Sequence, residues 1–252
     1  MSSPPILAVQ DIGKRFSGFV ALEGISTTFL RNRITAVIGP NGAGKTTFFN
    51  VLSGAIKPTT GRILFEGRDL TGAPQHAFAH YGIARSYQIT KIFPQLIAHE
   101  NVRVSGQAFR SRYNIWKNRN LDWDLIEKAH AALRDVGLHD RRDRVARFLS
   151  HGEQRALEIA IAIVSGPRLL LLDEPTAGMG PEETAAMMRL IERLAADRTI
   201  LLVEHKMKLI LGLSDRILVL HHGRLVADGT PSEIQSDSEV RRIYLGQSDG
   251  NA

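Results

Sequence analysis

Short runs of apolar residues, rich in leucine and β-branched side chains, recur along the chain and predict buried strands. They read ITAVI at 34–38, LLLLD at 169–173 and TILLV at 199–203. Each run is shorter than an ordinary helix, and continuous apolar runs of this length are typical of strands covered on both faces of a parallel sheet. The pattern therefore predicts a sheet buried inside the molecule.

Glycine-bounded segments at the two ends of the chain predict further strands. Two β-like segments flank a glycine turn near the N-terminus and end around Phe29, and GRILFEG at 61–67 is bounded by glycine on both sides. Near the C-terminus, RILVL and RLVAD surround an HHG turn, which predicts a hairpin.

Helical periodicity separates these strands. A helix is predicted from Lys45 to Ser53, where Gly54 ends it, and Pro181 opens another. The apolar residues of the second helix share one face: Met187, Leu190, Ile191 and Leu194. Residues from about 99 to 165 are mostly helical in pattern. Strand–helix alternation before and after this block predicts one α/β domain with a helical insertion.

Composition narrows the class of protein. The 252 residues are 43% hydrophobic and 23% charged, as in ordinary soluble globular proteins. Without cysteine, there is no disulfide framework, thiolate nucleophile or cysteine metal site. The N-terminus has no basic segment followed by an apolar one, and no apolar run reaches the ~18–20 residues that span a bilayer. We expect a soluble or peripheral protein without a signal peptide.

Positive charge is concentrated in one segment. The net charge is +6, and Arg103–Arg147 holds 11 Lys and Arg against 6 Asp and Glu, so 11 − 6 = +5. Such a surface suits anionic lipid or nucleic acid. A solvated helical face is favoured instead, because acidic residues are interleaved and no aromatic stacking pattern accompanies the charges.

The strongest chemical signal is GPNGAGKT at Gly39–Thr46, which matches G-x-x-x-x-G-K-[ST] between a predicted strand and a predicted helix. In this motif the backbone N–H groups surround a β-phosphate, Lys45 reaches the β- and γ-phosphates, and the Thr46 hydroxyl faces Mg²⁺. A chance glycine turn would lack the strand and helix. The expected phosphate-site residues are Gly39, Pro40, Asn41, Gly42, Ala43, Gly44, Lys45, Thr46 and Thr47.

Two carboxylates end the strand LLLLD and point to hydrolysis. Ligands of open α/β sheets lie at the carboxyl ends of strands, so Asp173 is expected to hold Mg²⁺ through water. Glu174, next along the chain, is expected to orient and deprotonate the attacking water. Alone, this pair would equally be an acidic turn; the neighbouring phosphate loop favours the catalytic interpretation.

Two weaker candidates lie near the ends of other strands. His205 follows LLVE and is a candidate contact to the γ-phosphate and the attacking water, although a lone histidine of this kind is more often a surface residue. Gln88, in RSYQITKIF, is a candidate contact to Mg²⁺ and water.

The segment LSHGEQ begins a helix and predicts an anion site. Ser150 followed three residues later by Glu153 is a capping box, in which each side chain bonds the other's backbone N–H. A helix N-terminus with a hydroxyl and a glycine also binds anions. Capping and anion binding both stay open from the residues alone.

Together, GPNGAGKTT, Gln88, LSHGE, LLLLDEPTAG and His205 resemble the ordered motifs of ATP-binding-cassette ATPases over almost the whole chain. The resemblance implies an α/β fold: a P-loop (RecA-like) ATPase core with an N-terminal antiparallel β subdomain and an inserted helical subdomain. It implies that 1–88 and 166–252 form the core and 89–165 the helical subdomain, with ATP and Mg²⁺ as cofactors.

The resemblance also assigns roles. LSHGEQ is similar to the family's signature motif, so Ser150 and Gly152 are expected to bind the γ-phosphate of ATP held by a partner subunit. Phe16 fits the aromatic residue that stacks on adenine, the alternative being a core phenylalanine. The chain departs from the usual Leu-Ser-Gly-Gly-Gln at His151 and Glu153, and Gly180 stands where many relatives have Asp.

The segments GIARSYQITKIFPQL, DEPTAGMGPEE and HHGRLVADGTPSEI resemble the hydrophobic amino-acid uptake branch. That branch implies a second ATPase subunit, two membrane permeases, a periplasmic solute-binding protein acting indirectly, and a location at the cytoplasmic face of the cell membrane. Nucleic acid is not an expected partner. Alternatives are urea, amide or aromatic-acid import, a lipopolysaccharide-type exporter ATPase, a non-transport ATPase, and a nucleotide-binding subunit without turnover.

Overall fold

A computed structural model describes residues 4–86, 92–107 and 123–245 of the chain. The smaller of its two sheets is antiparallel, in the order β2-β1-β4-β5. Its strands are β1 (Leu7–Phe16), β2 (Phe19–Phe29), β4 (Thr60–Phe65) and β5 (Arg68–Asp69).

The larger sheet runs in the order β10-β9-β3-β8-β7-β6. Its strands are β3 (Ile34–Ile38), β6 (Ile83–Arg85), β7 (Leu169–Asp173), β8 (Thr199–Val203), β9 (Arg216–His221) and β10 (Arg224–Gly229). The β9–β10 hairpin is antiparallel and the other pairings are parallel. The three apolar runs of the sequence are thus neighbouring central strands, as the pattern predicts.

Among the described helices, those that begin at Lys45 and at Pro181 were predicted at these residues. The described helices are α1 (Lys45–Leu52), α2 (Gln75–His80), α3 (Ala98–Gln107), α4 (Trp123–Asp135), α5 (His151–Ile163), α6 (Pro181–Ala195), α7 (Met207–Leu213), α8 (Pro231–Ser236) and α9 (Ser238–Leu245). No helix in these three ranges is long and apolar enough to cross a bilayer.

The larger sheet is buried on both faces, because successive residues of its central strands enter different apolar cores. In β7, Leu170 and Leu172 join the core beneath α5 and α6, whereas Leu169 and Leu171 join the core shared with the antiparallel sheet. This period of two is the expected geometry of a strand with both faces covered.

The helical segment packs on one of these cores. Helices α3, α4 and α5 contact one another, and Leu157 and Ala160 of α5 share a core with β7. The division into a core of 1–88 and 166–252 and a helical subdomain of 89–165 stays a prediction.

Candidate active site

The carboxyl ends of β3, β6, β7 and β8 meet at one edge of the sheet, because these strands are parallel. The loop after β3 turns through glycines in the left-handed region, Gly39 (φ 153°), Gly42 (φ 79°) and Gly44 (φ 100°). A Cβ added at Gly39 would lie 2.2 Å from the Leu220 carbonyl oxygen. A Cβ added at Gly44 would lie 2.8 Å from the Ala21 carbonyl oxygen. Both positions therefore require glycine.

Neighbouring turns hold this loop in place. The Gly223 N–H, in the β9–β10 turn, donates to the Ala43 carbonyl at 3.0 Å. The Glu23 N–H of β2 in turn donates to the Gly223 carbonyl at 2.9 Å. The loop is thus bonded to the larger sheet and, through Gly223, to the antiparallel one.

Lys45 begins α1 and points back into the loop. Its side chain is buried, and Nζ donates to the carbonyls of Gly39 at 2.6 Å and Pro40 at 2.9 Å. Burial lowers the pKa of Lys45, and the carboxylates of Glu174 and Asp173 oppose that shift. An ammonium removed from water in this way interacts strongly with a phosphate.

A cleft of about 260 Å³ opens beside the loop. Its lining runs from Asn41 to Thr47 and adds Phe19, Ala21, Glu174 and His205. The structure therefore brings Lys45 of the phosphate loop together in one cavity with Glu174 and His205, which follow the ends of β7 and β8.

The donors near the cleft suit Mg²⁺. The Thr46 side chain is exposed, and the Asp173 carboxylate lies at the end of β7. Among the described residues no cluster of three His, Cys, Asp or Glu forms a complete metal cage. Mg²⁺ usually takes one or two protein oxygens and completes its shell with water and phosphate oxygens, so this donor set fits it.

Asp173 is buried and paired with a cation. Its Oδ2 lies 2.8 Å from Nη2 of Arg85, and the two side chains are 4% and 7% exposed. Arg85 Nη1 also donates to Asn50 Oδ1 at 2.6 Å. Sequence reasoning did not single out Arg85; its place at the end of β6, directly before the Gln88 segment, was the available signal.

Glu174 and His205 contact each other directly. Glu174 Oε1 lies 2.7 Å from His205 Nε2. The backbone of Glu174 is left-handed at φ 48°, an uncommon conformation for a residue with a side chain. Buried Glu204 accepts hydrogen bonds from the Thr176 N–H and hydroxyl, which ties the loop after β7 to the end of β8. A carboxylate–imidazole pair on a braced loop can accept a proton from water.

The capping box at the start of α5 is confirmed. Ser150 Oγ accepts from the Glu153 N–H at 3.2 Å, and Glu153 Oε2 accepts from the Ser150 N–H at 2.8 Å. The Gly152 N–H donates to Glu183 Oε1 at 3.1 Å, and His151 Nε2 lies 3.1 Å from the Ala177 carbonyl. Here Glu183 is an unforeseen partner. The start of α5 is thus bonded to the loop and helix that follow β7.

Ser150 and Gly152 line a different cleft, of about 760 Å³, between the segment that follows α4 and helix α6. They do not line the cleft of the phosphate loop.

Two other residues predicted for the site are Gln88 and Phe16. Gln88 lies outside the described residues. Phe16 is 44% exposed under Lys14, which excludes the alternative of a core phenylalanine, but it does not line the cleft. Phe19, its cross-strand partner, is 64% exposed and does line it. An aromatic pair on either side of Gly18 was the sequence signal for Phe19.

The sequence matches known protein families and curated relatives over most of its length. The sequence model of the family described as ABC transporter matches residues 22–177, and that of the branched-chain amino acid ATP-binding cassette transporter matches 224–250. The high-affinity branched-chain amino acid transport ATP-binding protein LivG of Salmonella typhimurium is 40% identical over 97% of this chain and 99% of its own length. BraF of Pseudomonas aeruginosa, with the same description, is 38% identical over the same shares.

Solved structures give the same fold. An ATP-binding cassette of an ABC transporter in its ADP conformation superposes with a TM-score of 0.87 and 31% identity, over 97% of this chain and 100% of that one. A nucleotide-free cassette superposes with a TM-score of 0.86 and 30% identity, over 96% and 99%.

Proposed function

Because the chain belongs to the ABC transporter family of ATPases, we propose that it energises import of branched-chain or other hydrophobic amino acids. The carrying observation is that Lys45, Glu174 and His205 line one cleft with the phosphate loop. The relatives' descriptions and the C-terminal family match support the choice of cargo.

ATP is the substrate in this proposal. The loop Gly39–Thr47 surrounds the phosphates with the backbone N–H groups of its residues other than Pro40, and Lys45 binds the β- and γ-phosphates. Thr46, Asp173 and Gln88 would hold Mg²⁺, which supplies positive charge against the phosphate oxygens. Phe16, exposed opposite the cleft-lining Phe19, stacks on the adenine in this proposal.

Hydrolysis is assigned to the pair beside the loop. Glu174 takes a proton from the attacking water, and His205, 2.7 Å from that carboxylate, holds it and contacts the γ-phosphate. Ser150 and Gly152 act on the ATP of a second ATPase subunit, through the anion site at the start of α5. Closure of the two subunits assembles each site, and product release reopens it.

Membership of the ABC transporter family supports a proposal for the partners. We propose a second ATPase subunit, two membrane permeases that the helical subdomain contacts, and a periplasmic solute-binding protein that acts indirectly. The chain would then lie at the cytoplasmic face of the cell membrane through its permease contacts.

Uptake by cells tests the proposal. Cells that lack this chain are given back either the unchanged protein or Glu174→Gln, and uptake of labelled leucine, isoleucine and valine is measured. We expect only the unchanged protein to restore uptake. Restored uptake of urea or of an aromatic acid, with leucine unaffected, would contradict the choice of cargo.

Purification in mild detergent with ATP tests the partners. Glu174→Gln is used because it should hold the closed state. Recovery of two hydrophobic permeases and a second ATPase subunit is expected, whereas ribosomal or DNA-repair proteins alone would contradict a role in transport.

A further inference from the structure

Arg85 makes a buried connection that the proposed chemistry does not use. Its guanidinium bonds Asp173 through Nη2 at 2.8 Å, and Asn50 at 2.6 Å and Ser53 at 3.3 Å through Nη1. Only 7% of the Arg85 side chain is exposed. One side chain therefore joins the ends of β6 and β7 to the helix that begins with Lys45.

The contact concerns one oxygen of Asp173. Oδ2 is bound to Arg85, while no hydrogen bond to Oδ1 is found within the described ranges. A carboxylate held at one oxygen by a planar guanidinium has a fixed orientation, because the fork of the guanidinium fixes the plane of the pair. The other oxygen is then available to the cation and its water shell.

Residues that orient metal ligands influence metal affinity strongly. Side chains bonded to a ligand fix its direction, and their loss typically weakens metal binding about 10- to 100-fold. Arg85 stands in that relation to Asp173. It also carries a positive charge, so its loss would strengthen Mg²⁺ binding if charge repulsion, rather than orientation, were its main effect.

We propose that Arg85 is a positioning residue for Mg²⁺: it holds Asp173 in the orientation that binds the cation and its water. The proposal rests on the proposed role of Asp173.

Equilibrium nucleotide binding provides a test without turnover. A fluorescent ATP analogue is titrated in EDTA and at increasing Mg²⁺ with the unchanged protein, Arg85→Met and Arg85→Lys. Mg²⁺ should raise the affinity for the ATP analogue, and we expect the Arg85→Met variant to need about tenfold more Mg²⁺ than the unchanged protein to reach half of that gain. Its affinity for the analogue in EDTA should be unchanged. Arg85→Lys should fall between, because lysine keeps the charge but loses the fork.

Arg155→Met is the matched control. Arg155 and Glu158 also form a buried pair, 2.8 Å apart with side chains 11% and 8% exposed, but within α5. Both Met variants should lower the midpoint of thermal unfolding, since each leaves a buried carboxylate without its partner. Only Arg85→Met should change the Mg²⁺ requirement.

Two outcomes would overturn the inference. If Asp173→Asn raises the Mg²⁺ requirement but Arg85→Met leaves it unchanged or lowers it, Arg85 does not position Asp173. If Asp173→Asn has no effect on Mg²⁺ dependence, the proposed role of Asp173 fails first, and the inference fails with it.

Discussion

Lys45 and Glu174 line the same cleft but differ in burial and in hydrogen-bond partners. Lys45 is buried and bonded to carbonyls of its own loop, so its ammonium is fixed where phosphates are expected. Glu174 is 24% exposed and touches His205, so water can reach its carboxylate. Their removal should therefore affect different steps.

Replacing Lys45 with alanine should weaken nucleotide binding. The lost charged hydrogen bonds correspond to at least about a tenfold loss of affinity. Titration with a fluorescent ATP analogue measures this. Unchanged affinity and ATPase rate would contradict the role of the phosphate loop.

Replacing Glu174 with glutamine should preserve binding and abolish turnover. The amide keeps the size of the side chain but cannot accept a proton, and a general base contributes about 10²–10⁴-fold to a rate. Release of phosphate at saturating ATP is the measurement. A variant that retains turnover would show that another group is the base.

At the scale of elements, the start of α5 depends on α6. The Gly152 N–H at the first turn of α5 donates to Glu183, in the first turn of α6, and a carboxylate there is also favoured by the helix dipole. The same N–H is proposed to meet the partner subunit's ATP, so Glu183 occupies a position that phosphate would need.

Glu183→Gln should therefore destabilise the isolated chain by about 0.3–1 kcal/mol. Urea unfolding gives the difference in free energy of unfolding. Glu182→Gln is the matched control, because Glu182 is the adjacent, more exposed residue in the same first turn. Equal changes in both variants would mean that the Glu183–Gly152 bond contributes nothing specific.

These elements also show what the sequence can predict. The buried central strands, the glycine turn after β3 and the Ser150–Glu153 capping box follow from local patterns and were predicted correctly. Arg85–Asp173 joins residues 88 positions apart and Gly152–Glu183 residues 31 apart. Such partners become visible only when parallel strands and packed helices bring distant segments together. The roles of the site residues stay predictions.

At the scale of the whole molecule, the C-terminal helix reaches the phosphate loop. Tyr244 of α9 packs on the larger core, close to the backbone of Gly39. Burial raises the pKa of Tyr244 to about 12, and the Gly39 backbone opposes the rise. Helix α9 thus lies beside the loop that follows β3.

This pKa predicts a loss of stability in alkaline solution. The unfolded chain releases the tyrosine proton near pH 10, whereas the folded chain retains it to about 12, so the contribution is complete below pH 10 and lost as pH rises to 12. Between pH 9 and 12, the midpoint temperature of thermal unfolding should fall less steeply with pH in the Tyr244→Phe variant than in the unchanged protein. Parallel curves would contradict the assignment.

The support of Ala43 by Gly223 has a practical consequence for labelling the protein. Hairpin turns usually tolerate inserted tags. The turns at Gly67 and Gly223 look alike in sequence. Gly67 is exposed, and a Cβ added there would meet no atom within 4 Å. Gly223 is buried, and a Cβ added there would lie 2.7 Å from the Ala21 carbonyl oxygen. A short tag after Gly67 should leave nucleotide affinity intact, and the same tag after Gly223 should abolish it. An insertion in a hairpin nearly 180 residues away in sequence would thus abolish nucleotide binding by the phosphate loop.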